Sequence, residues 1–199
     1  MINKKNISKS YYLFLSLHLI LWTAIPSLSN VNLPLDTIEA LAWGSNLDWG
    51  FNKHPPFSAF AVELFYFIFG SKDWAYYLLS QIFVIVAFIY VWKLSLEIFQ
   101  DKLYALLSLL ALESIFYFNF TTPEFNVNIS QLPFWALTVF YFWKSIQTNK
   151  LKYWIFLGIF SAIGFLSKYL LIYILISIFL FLIFNFSKNK KFFKNYFLS

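Results

Sequence analysis

Residues 35–57 read LDTIEALAWGSNLDWGFNKHPPF, and the interpretation of the whole chain starts from this polar stretch. It carries acidic residues and a Lys-His pair, whereas long apolar runs lie on either side of it. In the whole chain 60% of residues are hydrophobic, 24% are aromatic and 12% are charged. Soluble domains have roughly 25% charged residues, so this composition indicates an integral membrane protein. The sequence predicts one all-α membrane domain over residues 1–199.

The composition also excludes several classes of site. The chain has no cysteine, which rules out disulfides and thiolate metal sites. All 15 basic residues are lysines, and the net charge is +6. Because these lysines are scattered between apolar runs, without a basic stripe or recognition motif, no nucleic-acid partner is predicted. The sequence contains no glycine-rich phosphate loop, zinc-ligand spacing or nucleophile elbow.

The apolar runs predict the membrane spans. After a basic head at residues 1–10, we expect spans at 11–28, 74–92, 103–120 and 132–143, the last beginning there or a few residues earlier. The run 153–186 is long enough for two more helices divided at 167–169, and a lysine-rich tail follows it. The run 55–69 reaches only about 22 Å at ~1.5 Å per residue, less than the ~30 Å hydrocarbon core. We therefore expect residues 55–69 to form a helix that lies in the interface.

The positive-inside rule sets the orientation of these spans. If residues 55–69 do not span, the N-terminus is cytoplasmic and only Lys53, Lys72 and Lys168 lie outside. If residues 55–69 did span, later basic segments would move outside, which is less favourable. The prediction is a polytopic helical protein with about six transmembrane helices and amphipathic interfacial helices in a first external loop (30–72). A second external loop is expected at 121–131. The polar residues expected at the outer face are Asp36, Glu39, Asp48, Lys53, His54, Asp73, Glu124 and Lys168.

In the first external loop, each candidate residue has a structural and a functional interpretation. Asp36 can be a helix N-cap with Glu39 as its capping-box partner, or a general base held at the membrane surface. Lys53 can extend to the headgroups, or bind a lipid phosphate as a point charge. His54 stands between Lys53 and two prolines that suit the entry to the following helix.

Later polar residues leave similar alternatives. Glu124, Asn126 and Asn128 can form an ordinary polar loop, or supply a second acid facing Asp36 with amides that bind sugar hydroxyls or a metal. Lys168 can extend to the headgroups or bind an anionic ligand. Within the apolar runs, we expect His18 to be a packed or interhelical hydrogen-bonding residue, and the sequence identifies no partner for Glu63 or Glu113.

Three segments stand out together: residues 36–57 with the DTIEA and KHPP motifs, residues 124–138 with EFNVN and LPFWALT, and residues 164–169 with GFLSKY. In order and spacing they resemble the GT-C membrane glycosyltransferases. Within that group the resemblance is to the bacterial branch related to protein O-mannosyltransferases and to lipid A aminoarabinose or galacturonic acid transferases.

The resemblance implies sugar transfer, with inversion, from a polyprenyl-phosphate donor to a lipid, glycan or protein acceptor. It places the reaction at the outer face of a bacterial inner membrane. Asp36 would be the catalytic base, and Lys53, together with Lys168, would stabilise the departing phosphate. Glu124 occupies the place of a second acidic residue that in some relatives helps to bind metal or substrate, and it departs from the Asp that is more frequent there. A divalent metal, if one is used, would be held by Asp36 and Glu124. The remaining substrate-binding candidates are Glu39, His54, Asn126 and Asn128.

Members of this group continue with further spans and often a C-terminal outer domain. We therefore expect the chain to correspond to the N-terminal part of a typical member, with the missing C-terminal half as a partner. The alternative prediction is a non-catalytic homologue, or a subunit of a membrane complex that binds or flips a lipid-linked sugar.

Overall fold

The computed structural model describes residues 4–188, which form helices and turns without a β-strand. The prediction of an all-α chain is confirmed for these residues. The first residues of the basic head (1–3), and Lys190, Lys191 and Lys194 of the predicted basic tail, lie outside the described residues. The α-helices in chain order are α1 (Lys4–Ser29), α2 (Leu35–Gly44), α3 (Phe57–Phe69), α4 (Asp73–Phe99), α5 (Lys102–Glu113), α6 (Val127–Thr148), α7 (Leu151–Ser167) and α8 (Ile172–Lys188).

Local chemistry accounts for several helix ends. α3 is followed by Gly70, whose φ of 67° lies in the left-handed region that glycine adopts without strain. α5 is preceded by Asp101, whose Oδ1 accepts a hydrogen bond from the backbone N–H of Leu103 at 2.6 Å. This bond satisfies one of the donors that a helix start leaves free. The break between α3 and α4 and the break between α4 and α5 thus each have a local cause, in Gly70 and Asp101 respectively.

α4 is the central helix of the fold. It packs against α1, α5 and α6, and α6 in turn packs against α7. α2 and α3 pack against each other, and α3 also contacts α4, α6 and α7, so the 30–72 segment lies beside these helices. The shared core consists of Ile7, Tyr11, Ala40, Val62, Tyr76, Leu79, Val84, Phe88, Trp92, Ala105, Leu109, Phe125 and Ile129.

Two polar contacts join segments that the lysine pattern assigns to one side. Nζ of Lys102, at the start of α5, donates to Oγ of Ser8 in α1 at 2.8 Å. Nζ of Lys144 in α6 lies 2.8 Å from Oε1 of Glu97 in α4. The basic segments are therefore brought together in pairs across the bundle, while the side of the membrane that they face stays a prediction.

Two segments, Asn6–Ser29 and Asp73–Phe99, are long and apolar enough to cross a membrane by length and composition. Shorter apolar helices lie at Phe57–Phe69, Leu151–Ser167 and Tyr169–Asn185. Helices were expected within the predicted first external loop, and α2 and α3 lie there. The count of six spans stays a prediction.

The predicted third span and second loop differ from the structure. α5 ends at Glu113, so it has 12 residues instead of the 18 expected at 103–120, and at ~1.5 Å per residue it is about 18 Å long. The side-chain amide of Asn119 donates to the backbone carbonyls of Glu113 and Ile115, which satisfies carbonyls at the helix end. α6 begins at Val127, so the second half of the predicted 121–131 loop is helical.

Candidate functional site

Asp36 lies in the first turn of α2, and its predicted role as the N-cap is wrong. The N-cap is Pro34, whose carbonyl accepts the backbone N–H groups of Thr37 and Ile38 at 3.1 Å each. The helix therefore begins one residue before Asp36, and no side chain caps it. The backbone N–H of Asp36 instead donates to Oε1 of Glu124 at 3.2 Å. A distant loop thus satisfies a donor that the capping box was expected to satisfy.

The segment between α5 and α6 contacts the start of α2 at two further points. Nδ2 of Asn126 donates to Oδ2 of Asp36 at 3.2 Å, and Oγ1 of Thr37 donates to the carbonyl of Phe125 at 3.1 Å. Asn126 is also the N-cap of α6, because its Oδ1 accepts the backbone N–H of Asn128 at 2.9 Å. Its amide group therefore holds the Asp36 carboxylate and the helix end at the same time.

Lys53 is paired with Glu39. Nζ of Lys53 lies 2.6 Å from Oε1 of Glu39, on the same helix as Asp36. The hydrogen bond that Lys53 donates to Glu39, and then the negative charge of Glu39, raise the pKa of Lys53. The lysine side chain is exposed, and an ammonium has three donors, so the pairing leaves donors of Lys53 for an incoming anion.

His54 is half-buried and lies among the other candidate charges. Its ring packs edge-on against Trp43, with ring centroids 5.8 Å apart. Burial lowers the pKa of His54, the positive charge of Lys168 lowers it further, and the carboxylates of Glu39 and Asp36 act in the opposite direction. His54 is therefore mainly neutral at neutral pH, in a place where charges from several segments meet.

Lys168 follows α7 and contacts the start of α6. Its Nζ donates to Oδ1 of Asn128. Burial lowers the pKa of Lys168. The three segments singled out in the sequence thus converge: Lys168 binds the Asn126–Asn128 turn, which binds Asp36, and Asp36 shares α2 with the partner of Lys53.

A small cleft lies where these segments meet. It has a volume of about 10 Å³, roughly the room that one water molecule needs. Its lining includes Asp36, Glu39, His54, Asn126 and Ser58. The hydroxyl of Ser58 is buried and has no hydrogen-bond partner among the described residues. No local sequence pattern distinguishes this serine from the other polar residues near it.

The described residues give no support to a metal held by Asp36 and Glu124. Among residues 4–188, no group of three or more His, Cys, Asp or Glu side chains is arranged to hold a metal ion. Glu124 contacts the backbone of Asp36, and the Asp36 carboxylate is contacted by the amide of Asn126. Each of these two side chains therefore accepts one hydrogen bond within the site, and the chemistry proposed for Asp36 involves no metal.

The structure also supplies the partner of Glu113 that the sequence did not reveal. Nδ1 of His18 lies 2.8 Å from Oε2 of Glu113, and Nε2 of His18 lies 3.0 Å from Oε1 of Gln81. The expectation that His18 is an interhelical hydrogen-bonding residue is confirmed.

Glu63 lines a cavity of about 450 Å³ between α2, α3 and the start of α4.

Comparison with known families places the chain among membrane glycosyltransferases of the GT-C type. The family described as dolichyl-phosphate-mannose-protein mannosyltransferase matches residues 53–198, and the chain belongs to this family. The match confirms the resemblance seen in the sequence. Neither the comparison with curated proteins nor that with solved structures gave a match. The matched segment includes Lys53, His54, Glu124 and Lys168, whereas Asp36 precedes it.

Proposed function

We propose that the protein transfers a sugar, with inversion, from a polyprenyl-phosphate donor to a lipid, glycan or protein acceptor. The reaction is assigned to the outer face of a bacterial inner membrane, which the chain crosses about six times from a cytoplasmic N-terminus. Membership of the mannosyltransferase family supports sugar transfer at a membrane. The observation that carries the finer proposal is the convergence of three charged side chains on His54. These are Asp36, Lys53 and Lys168, each of which acts electrostatically on the histidine.

Asp36 is the proposed base. Its carboxylate is exposed at the start of α2 and receives one hydrogen bond, from Asn126 to Oδ2. The other oxygen, Oδ1, takes the proton of the acceptor as the acceptor oxygen attacks the anomeric carbon. The bond between that carbon and the phosphate oxygen breaks on the opposite face, and the polyprenyl phosphate leaves with the electron pair. Asn126 and the backbone bond to Glu124 keep the carboxylate oriented during this step.

The two lysines are the proposed phosphate contacts. Lys53 has a raised pKa and so stays protonated, and its exposed ammonium can turn part of its hydrogen bonding from Glu39 to the phosphate. Lys168 lies across the same region and is half-buried, where a charge acts more strongly than in water. Together they offset the negative charge that develops on the departing phosphate. His54, in its neutral form, adds a hydrogen-bond donor without adding charge.

Sugar transfer by Asp36→Asn tests the proposal. The full chain is reconstituted in liposomes with a polyprenyl-phosphate sugar donor and extracted envelope acceptors. We expect the transfer rate to fall roughly 10²–10⁴-fold, the usual contribution of a general base. Asp48→Asn is the matched control, because it removes the same charge from an exposed position in the same loop.

Two results would contradict the proposal. Equal, measurable rates for the wild type and Asp36→Asn would show that Asp36 is not the base. Donor binding without any transfer by the wild type would favour the non-catalytic alternative, a membrane component that binds or flips a lipid-linked sugar.

A further inference from the structure

A chain of buried polar groups runs from α1 through α4 to the segment between α5 and α6. Nε2 of His18 lies 3.0 Å from Oε1 of Gln81, and Nε2 of Gln81 donates to Oγ1 of Thr122 at 3.1 Å. The exposed fractions are 3% for His18 and 0% for both Gln81 and Thr122. We call these three residues the His18–Gln81–Thr122 chain. Burying a polar side chain among apolar helices costs free energy, so such residues indicate a structural or functional role.

Thr122 is held by more than this chain. Its hydroxyl lies 2.7 Å from the carbonyl of Asn119, to which it donates. Its own carbonyl accepts a hydrogen bond from the buried hydroxyl of Ser80, which precedes Gln81 in α4. Both the side chain and the backbone of Thr122 are therefore attached to α4. Since a buried polar group that loses its partner is strongly disfavoured, the segment is held in one register.

The same segment reaches the candidate base within a few residues. Glu124, two residues after Thr122, accepts the backbone N–H of Asp36 at 3.2 Å. Asn126 donates to Oδ2 of Asp36 at 3.2 Å. Any displacement of Thr122 along α4 therefore moves the two side chains that orient Asp36.

We propose that Gln81 and Thr122 are positioning residues for sugar transfer. They hold residues 119–126 on α4 so that Glu124 and Asn126 fix the carboxylate of Asp36. The kinetic consequence rests on the function proposed above, whereas the effect on the position of the segment does not. His18 completes the chain and anchors it to α1, where its other nitrogen lies beside Glu113.

Thr122→Val and Thr138→Val form a matched pair of variants. Both threonines are fully buried, and the hydroxyl of Thr138 lies 3.5 Å from that of Ser161, between α6 and α7. Each substitution thus removes one buried hydroxyl, but only Thr122 belongs to the His18–Gln81–Thr122 chain. Because the protein has no cysteine, spin labels can be attached at Ile38→Cys and Phe120→Cys, both at exposed positions.

The first measurement is the distance distribution between these two labels, in the full chain in nanodiscs. Thr122→Val should widen or shift it, whereas Thr138→Val and Thr122→Ser, which keeps the hydroxyl, should not. In the transfer assay, Thr122→Val should lower kcat about tenfold to a hundredfold, as expected for a misplaced catalytic group. The KM for the donor should change much less. Gln81→Leu breaks the same chain independently if Thr122→Val does not fold.

An unchanged distribution together with an unchanged kcat in Thr122→Val would overturn the proposal. So would equal changes in Thr122→Val and Thr138→Val, because these would reflect a general loss of stability. If the wild type transfers no sugar, the protein is not a self-sufficient transferase, but the label distances still decide whether Gln81 and Thr122 position the segment.

Discussion

Replacing Gly164 by alanine should force α7 away from α6 next to the candidate site. A Cβ atom at this buried glycine would lie 2.7 Å from Cβ of Phe134 and 3.0 Å from Cδ2 of Leu171. The Cδ2 atom is at the end of a flexible side chain and can turn away. The Cβ atom of Phe134 is attached to the backbone of α6, so relieving that contact requires a movement of the helix.

The cost can be worked from this geometry. Overpacking of a well-packed interior typically costs about 1–3 kcal/mol, and alanine regains roughly 0.5–1 kcal/mol over glycine inside a helix. The two ranges together give a net loss of up to about 2.5 kcal/mol, with a central value of about 1 kcal/mol. For a chain of this size, each kcal/mol corresponds to about 2–4 °C in Tm, so Tm should fall by about 2–4 °C at that central value. Because Lys168 follows α7 and binds Asn128 of α6, sugar transfer should also decrease.

Gly158→Ala is the matched control in the same helix. A Cβ atom there meets nothing within 4 Å, so this variant should be at least as stable as the wild type. Thermal unfolding of the three proteins in identical nanodiscs, followed by tryptophan fluorescence, gives the comparison. If Gly164→Ala is as stable as Gly158→Ala, α6 and α7 do not pack through this glycine, and the account of the Lys168 position is wrong.

Two further predictions concern the charge of His54 and the orientation of the chain. Lys168→Gln should raise the pKa of His54, since the lysine charge is one cause of its lowering; NMR titration of the two histidines, with His54→Gln for assignment, checks this, and an unchanged value would contradict it. The fold lowers the pKa of His54 below its ordinary value of about 6.5, so above that pH the residue is mainly neutral in both the folded and the unfolded protein and does not reduce the free energy of unfolding. Stability should then be lost as pH falls from about 6.5 through the lowered pKa, more in the wild type than in His54→Gln, as unfolding at a series of pH values would reveal. For orientation, a membrane-impermeant thiol reagent added outside should label Asp48→Cys but not Lys150→Cys; the reverse pattern would place the site on the other face.

Local sequence patterns predicted the starts of α3, α4 and α5 closely, at residues 55, 74 and 103, and these helices begin at Phe57, Asp73 and Lys102. The predicted end of α4 at residue 92 was wrong, because the helix continues to Phe99. The expected N-cap at Asp36 was wrong because Pro34, two residues earlier, takes that position. The carbonyl of Pro34 accepts the first helical N–H groups, so the helix starts early and leaves Asp36 inside it.

The sequence by itself determined that the chain is helical, because apolar surroundings require every backbone hydrogen bond to be made within a segment. It also determined the family, through motifs that can be compared residue by residue. Only the tertiary structure decided which polar groups meet, as for Glu124 and the backbone of Asp36, which are 88 residues apart. The physical reason is that each residue turns a helix by about 100°, so a shift of one residue redirects a side chain. Such pairings follow from helix packing, which no local pattern specifies.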